Sequence, residues 1–300
     1  MKIILHYFYK KMPNVLKIKL RKFKIRKILS YHGNSQNSEE KIAIANLLND
    51  GLRMIPYDFT KKYVQDHEIC QDKDGYSFVK FLKHRVFFPK NLSPNMIKTK
   101  FNALLCEQDI ESPHKYFTSD FIPNSRDYFY DIGSAEAIIS LSVAEKVKKN
   151  YIFEYDDKWF TPLKKTFEKF GDKVVIINKF VSDKTSTNTV KISDYISDSH
   201  YDYFFKIDVE GEELNVLKGM ENILDKNMNI KIAVCTYHNG KDFQRVVEYL
   251  NNKNFNIQHS KGYMIFDLKT APYLRRGVVR ATKKFESDGV SLEKNKLPKY

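Results

Sequence analysis

One stretch limits the folds open to this chain more than any other, Tyr128 to Glu154, YFYDIGSAEAIISLSVAEKVKKNYIFE. Tyr128–Ile132 reads as a buried strand, Gly133 opens a turn, and from Ala137 the positions Ile138, Leu141, Ala144 and Val147 recur every three residues on one helical face. Lys146, Lys148 and Lys149 crowd the end of that helix, where cations suit its dipole. Tyr151–Phe153 then form a second strand. A helix that crosses between neighbouring strands makes them parallel, and ligands of such sheets sit at the carboxyl ends of the strands. Asp131, Gly133 and Glu154 are expected there.

The pattern repeats downstream. Trp159, Leu163, Phe167 and Phe170 have helical spacing, Gly171 stops that helix, and Val174–Ile177 is a third strand. Tyr203–Ile207 is a fourth, followed by helical spacing at Leu214, Leu217, Met220 and Leu224. Ile230–Cys235 is a fifth, running into Thr236-Tyr237-His238, and Phe243, Val246, Val247 and Leu250 mark the next helix. Phe255–Gln258 and Tyr263–Leu268 suggest a closing hairpin through Gly262. The expected fold class is α/β, a sandwich with a mostly parallel seven-stranded sheet and an antiparallel edge. Upstream, Ser38 with Glu39 and Glu40 signals a helix start, and Asp72-Lys73-Asp74-Gly75 reads as a hairpin turn. The expected organisation is a basic tail over 1–30, a helix and hairpin extension over 31–125, the main domain over 126–270 and a tail over 271–300.

The net charge of +14 is uneven, because residues 1–30 hold ten Lys or Arg and no acid. Such a segment is either a solvated extension or a patch for anionic lipid or another polyanion, and the aromatics Tyr7, Phe8, Tyr9 and Phe23 favour a membrane surface. Ile3–Tyr9 is too short and too interrupted by His6 for a signal peptide. Cys70, Cys106 and Cys235 are isolated, which points away from a disulfide framework or a structural zinc site. A reduced, cytoplasmic protein is expected, with peripheral contact to the cytoplasmic face of a membrane through residues 1–30.

Acids fall at or just past successive strand ends: Asp131, Glu154, Asp183 and Asp208, with Glu210, Glu212 and Glu213 behind the last. A dinucleotide would bring two phosphates into that field. S-adenosylmethionine brings none and offers a sulfonium, an ammonium and a ribose diol that donates to a carboxylate. The Gly-x-Gly-x-x-Gly and Gly-x-x-x-x-Gly-Lys-Ser/Thr phosphate loops are absent, which argues against nicotinamide chemistry. Each acid taken singly also fits a helix N-terminal residue stabilised by the dipole.

DIGSAEAIISLS, IFEYDDKW and above all KIDVEGEELNVLKGM resemble the motifs of FkbM family methyltransferases, and CTYHN with the later LRRG run is similar to one branch of that family. The resemblance covers about Tyr128 to Leu268. It implies a class I S-adenosylmethionine-dependent fold and O-methylation of sugars or other hydroxyl-bearing small molecules. Carried onto this chain, Asp131 and Gly133 form the first cofactor motif, with Ser134 and Ala135 near the methionine portion. Glu154 takes the ribose hydroxyls, Asp183 the adenine amino group, and Asp208 lines the methyl-transfer centre. Ala137 stands where the family commonly has a further glycine, which would narrow close backbone approach.

Methyl transfer to a hydroxyl needs positioning and a base, and the candidates are His238 and Asp208, which end adjacent strands. His238 fits a strand-end histidine bonded to backbone equally well. Asp208, Glu210 and His238 could hold a divalent metal, although no spacing demands one. His114, in EQDIESPHKY, is either a lid or substrate contact or a solvated turn residue. A base-amine motif of the Asn/Asp-Pro-Pro-Tyr type is absent where Asp208-Val209-Glu210-Gly211 stands, so no nucleic-acid partner is expected. The alternative is a non-catalytic Rossmann-like module with a membrane- or nucleic-acid-binding tail.

Overall fold

The computed structural model describes residues 12–196 and 201–285. Its centre is a seven-stranded sheet in the order β6 (Val174–Ile177), β5 (Lys149–Phe153), β4 (Asp127–Ile132), β9 (Asp202–Ile207), β10 (Ile230–Cys235), β14 (Val278–Lys283) and β11 (Asn256–His259). β4, β5, β6, β9 and β10 run parallel, and β14 is antiparallel to both of its neighbours. In chain order the strands lie 3-2-1-4-5-7-6. The order reverses between β4 and β9, and in sheets of this kind ligands bind beyond the carboxyl ends of the strands at such a switch point, which here is beside Gly133 and Asp208.

Both faces of the sheet are covered, which is why the strands read as continuous apolar runs. Tyr130, Ile132, Phe205, Ile207, Ile232 and Val234 pack on one side under Val216, Leu217 and Met220 of the helical stretch α6 (Glu213–Gly219) to α7 (Glu221–Leu224), and under Val246 and Leu250 of α8 (Asp242–Asn252). Phe129, Phe204, Ala233 and Cys235 pack on the other against Tyr116, Phe121, Val143 and Val147. The expected crossover helix is α4 (Ile138–Val143), and Ile138, Leu141, Ala144 and Val147 are all buried.

The seventh strand corrects the sequence expectation. Tyr263–Leu268 does not pair with Phe255–Gln258; Met264–Ile265 (β12) pairs with Leu274–Arg275 (β13), and β11 pairs with β14 instead. The charged end was expected to be a tail, yet Val278–Ala281 is buried. Arg280 disguises the strand, because its guanidinium is buried by donating to the carbonyls of Tyr116 (2.9 Å) and Lys115 (2.6 Å).

Upstream, the basic segment enters helix α1 (Asn14–His32), whose Ile28 and His32 are buried against Ala43 and Leu47 of α2 (Ser38–Asp50) and against Tyr263, Tyr273 and Leu274. Residues 1–11 of the expected tail lie outside the described residues. The Asp72–Gly75 turn joins Cys70–Gln71 (β1) to β2 (Ser77–Phe81), and β2 pairs with β3 (His84–Phe87). With α3 (Pro94–Glu107), these strands pack on α4 and on α5 (Phe160–Phe167). No described helix is long and apolar enough to cross a membrane.

Candidate active site

The loop after β4 is built by its neighbours. Gly133 has φ +76°, and a Cβ there would stand 1.9 Å from the carbonyl oxygen of Asp208. Glycine is therefore required so that the ends of β4 and β9 can meet, a constraint separate from any ligand. Gly133 and Ser134 N–H both donate to Phe153 O, at 3.0 and 3.2 Å. Ala135 N–H donates to Glu154 Oε2 at 2.7 Å, while Glu154 Oε1 accepts from Asp156 N–H at 2.8 Å. Glu154 thus grips the loop from the next strand, and each of its oxygens keeps a second lone pair.

Asp131 is placed differently from the expectation. It is fully buried, pairs in register with Lys206 on β9, and forms an ion pair with its ammonium at 3.0 Å. Ser140 Oγ donates to its second oxygen at 2.8 Å. The same ammonium donates to Gly133 O at 2.6 Å. Asp131 therefore supports the loop from beneath and is not a rim ligand: its charge is neutralised inside the sheet. Burial acts against the Lys206 charge, but Asp131 and Asp208 outweigh it and hold the ammonium above the ordinary lysine range. A lysine inside the apolar run YDYFFKID was the sequence signal for this partner, since an unpaired buried charge is not sustainable.

Asp208 is the hub of the site. Its Oδ2 accepts from Tyr116 OH at 2.8 Å and its Oδ1 from Tyr237 OH at 3.2 Å. His114 Nε2 lies 3.8 Å from Oδ2, and His238 Nε2 lies 3.5 Å from Oδ1. Burial would raise the Asp208 pKa, yet Lys206, the two histidines and the Tyr116 hydroxyl keep it below the usual aspartate value. His114 is buried and bonded to Tyr237 OH at 3.0 Å, so it belongs to this cluster and is not a solvated turn residue. Cys235 Sγ contacts Tyr116 OH at 3.3 Å; burial and then Asp208 push its thiol well above the ordinary cysteine range, which keeps it un-ionised.

Glu213 escaped the sequence reading as more than a cap. It is buried, and its Oε1 accepts from Val209 and Gly211 N–H at 3.1 and 3.3 Å while pairing with His238 Nδ1 at 2.7 Å. The imidazole is held between two carboxylates, with Nε2 toward Asp208. Burial lowers its proton affinity, but Glu213 and then Asp208 more than offset this, and the His238 pKa lies above the ordinary value of 6.5. The carboxylate–imidazole arrangement is the one that fixes a general base in one tautomer.

Asp183 follows β7 (Phe180–Val181), which pairs with β8 (Thr189–Val190) outside the central sheet, and is bonded to Ser182 Oγ at 3.2 Å. The expected row of four acids along one rim thus resolves into a sealed Asp131, a loop-gripping Glu154, a hydrogen-bonded Asp208 and an Asp183 on a separate element. Among the described residues, His114, Asp208 and Cys235 form one group with ligand atoms within 4.8 Å of one another, and Asp208, Glu213 and His238 form a second. Glu213, rather than the exposed Glu210, accompanies His238. In the first group the Tyr116 hydroxyl already bridges Asp208 and Cys235, so a cation would have to displace it.

A family model described as the methyltransferase FkbM domain matches residues 99–257, more than half of the chain. The chain belongs to the FkbM methyltransferase family. Its cofactor is S-adenosylmethionine. Similar solved structures include an FkbM methyltransferase from Methylobacillus flagellatus KT (19% identity, 56% of this chain and 47% of that one, TM-score 0.44). A putative methyltransferase from Streptococcus mutans in complex with SAH is another (14% identity, 54% and 90%, TM-score 0.37). A third is M. jannaschii TYW2 in complex with AdoMet (15% identity, 72% and 89%, TM-score 0.37). The aligned part is about half the length of the Methylobacillus protein. No curated protein matches the chain. The residues of this FkbM chain fit the cofactor: the buried Ser134 Oγ has no hydrogen-bond partner of its own, and Glu154 retains acceptor capacity for a diol.

Proposed function

We propose that the protein is an S-adenosylmethionine-dependent O-methyltransferase whose acceptor is a sugar or other hydroxyl-bearing small molecule, such as a glycan precursor. The observation that carries this reading is the His238 ring fixed by Glu213 at 2.7 Å with Nε2 3.5 Å from Asp208, at the carboxyl ends of β9 and β10. When bound, the cofactor supplies an electrophilic methyl group on a positively charged sulfur. His238 Nε2 takes the acceptor's hydroxyl proton as the new O–C bond forms and the S–C bond breaks. Glu213 holds the ring in the tautomer that leaves Nε2 as acceptor, and Asp208 stabilises the resulting imidazolium. Glu154 would hold the ribose hydroxyls and the Gly133–Ala135 backbone would border the methionine portion, where Ser134 Oγ could supply a hydrogen bond. Asp183, on the loop after β7, would be the partner of the adenine amino group.

Methyl donor labelled on the methyl carbon, incubated with a fractionated cell extract, tests the proposal. The expected result is label in a hydroxyl-bearing fraction with the native protein. His238→Ala should abolish labelling yet retain donor affinity by titration calorimetry, and Glu154→Ala should lose donor affinity. Native-like labelling by His238→Ala, or native donor affinity in Glu154→Ala, would remove the corresponding assignment.

A further inference from the structure

Helix α1 (Asn14–His32) has a face on which none of the described residues packs. Its partnered residues share one side: Lys24 pairs with Asp267 at 2.7 Å, Lys27 stands over the Tyr273 ring, Arg21 reaches Leu52 O, and Ile28 and His32 are buried. At 100° per residue, Val15, Leu16, Ile18 and Phe23 fall within roughly 160° of arc facing away from Ile28 and His32. They are 67, 49, 55 and 64% exposed. Lys19, Lys22 and Arg26 are interleaved on the same arc, all exposed and without ion-pair partners among the described residues. No Asp or Glu occurs before Glu39 in the sequence. Large apolar side chains interleaved with solvated cations on one helical face mark an interaction surface.

We infer that this face of α1 docks on an anionic lipid surface, with Leu16, Ile18 and Phe23 entering the headgroup boundary and Lys19, Lys22 and Arg26 meeting lipid phosphates. Charge complementarity selects an anionic partner. The apolar residues favour lipid over nucleic acid, because a phosphate backbone would satisfy the three cations yet offer nothing to Ile18 or Val15, whereas an interface of headgroup and acyl chain satisfies both. The inference stands apart from methyl transfer, since no residue of this face touches the Asp208 cluster.

The test is flotation of the full chain with phosphatidylcholine vesicles, with and without phosphatidylglycerol. The expected result is co-flotation with the anionic vesicles only. Each cation removed should weaken partitioning about fivefold, so Lys19→Glu/Lys22→Glu/Arg26→Glu should not float. Ile18→Ser/Phe23→Ser, which keeps every charge, should lose about tenfold in partitioning. All of these side chains are exposed, and an unchanged thermal midpoint would separate lost docking from lost folding. Failure of the native chain to float with phosphatidylglycerol vesicles at low salt would overturn the inference. So would binding that Ile18→Ser/Phe23→Ser leaves untouched while an oligonucleotide duplex competes for it, a result that would assign the face to nucleic acid.

Discussion

Lys206 is the residue on which the loop after β4 depends most. It is 4% exposed and serves Asp131, Asp208 and Gly133 O at once, so removing its charge leaves Asp131 buried and unpaired. Breaking a buried pair costs about 3–5 kcal/mol, whereas replacing both partners is often close to neutral. Lys206→Met should therefore destabilise by that amount, and Lys206→Met with Asp131→Asn should recover most of it in a denaturant double-mutant cycle. Simple additivity of the two losses would show that the pair does not act as a unit. His238 supplies a pH signature of the opposite kind to a carboxylate. Its pKa is raised, so the stabilisation from Glu213 is complete below 6.5 and is lost as pH rises through the raised value. The base form that the role proposed for His238 needs appears over the same interval. Activity should thus climb with pH above 6.5 as this stabilisation fades, and Glu213→Gln should move the midpoint of the pH–rate profile downward and reduce kcat. The Gln oxygen can still accept from Val209 and Gly211, which isolates the effect of charge.

At the scale of elements, the strand-turn-helix-strand core was legible because its periodicities are local and its strands are buried on both faces. Its exceptions were not legible, because they are set by partners distant in sequence. Ala137 illustrates this. From the sequence its methyl group narrows the approach of a ligand, but the backbone is left-handed there (φ +52°) and the side chain is buried beside Ile138 and Leu141. A left-handed alanine costs about 1–2 kcal/mol, while Ala→Gly gives back about 0.4–1 kcal/mol through the unfolded chain. Ala137→Gly should accordingly change stability by no more than about 1.6 kcal/mol and leave donor affinity unaltered by calorimetry. β14 was hidden for a different reason: Arg280 makes its run look like a tail until Tyr116 O and Lys115 O are brought beside it. A chain ending at Gly277 loses the strand between β10 and β11, and should show no cooperative thermal transition. The Glu213–His238 pair was half legible, in that each residue lay in a recognisable motif but the 24 intervening positions concealed their contact.

The whole molecule ties its amino-terminal helices to the loop that carries His238 through one segment. His32 Nε2 accepts from the backbone N–H groups of Tyr273 and Leu274 at 3.0 and 3.2 Å, and its Nδ1 pairs with Glu40 at 3.2 Å. The next residue, Arg275, is 4% exposed and donates to four carbonyls: Pro272 and Thr270 in its own segment, and Tyr237 and His238 at 2.8 Å each. The loop that carries His238 is thus anchored to a segment that α1 and α2 hold in place. Lys24–Asp267 spans the same junction but is partly exposed, and such pairs contribute about 0–1 kcal/mol. The His32 acceptor leaves two buried donors orphaned when removed, at about 1–3 kcal/mol each. His32→Ala should consequently destabilise more than Lys24→Ala and speed proteolysis between Gly33 and Asn37. Arg275→Lys keeps the charge but not the planar fork that reaches the carbonyls on both sides. It should reduce kcat with donor affinity retained, because the backbone under His238 is freed while the Gly133 loop is untouched. Equal losses of kcat and donor affinity in Arg275→Lys would instead mean that the segment supports the entire crevice, since a positioning role confined to His238 cannot change the donor's binding.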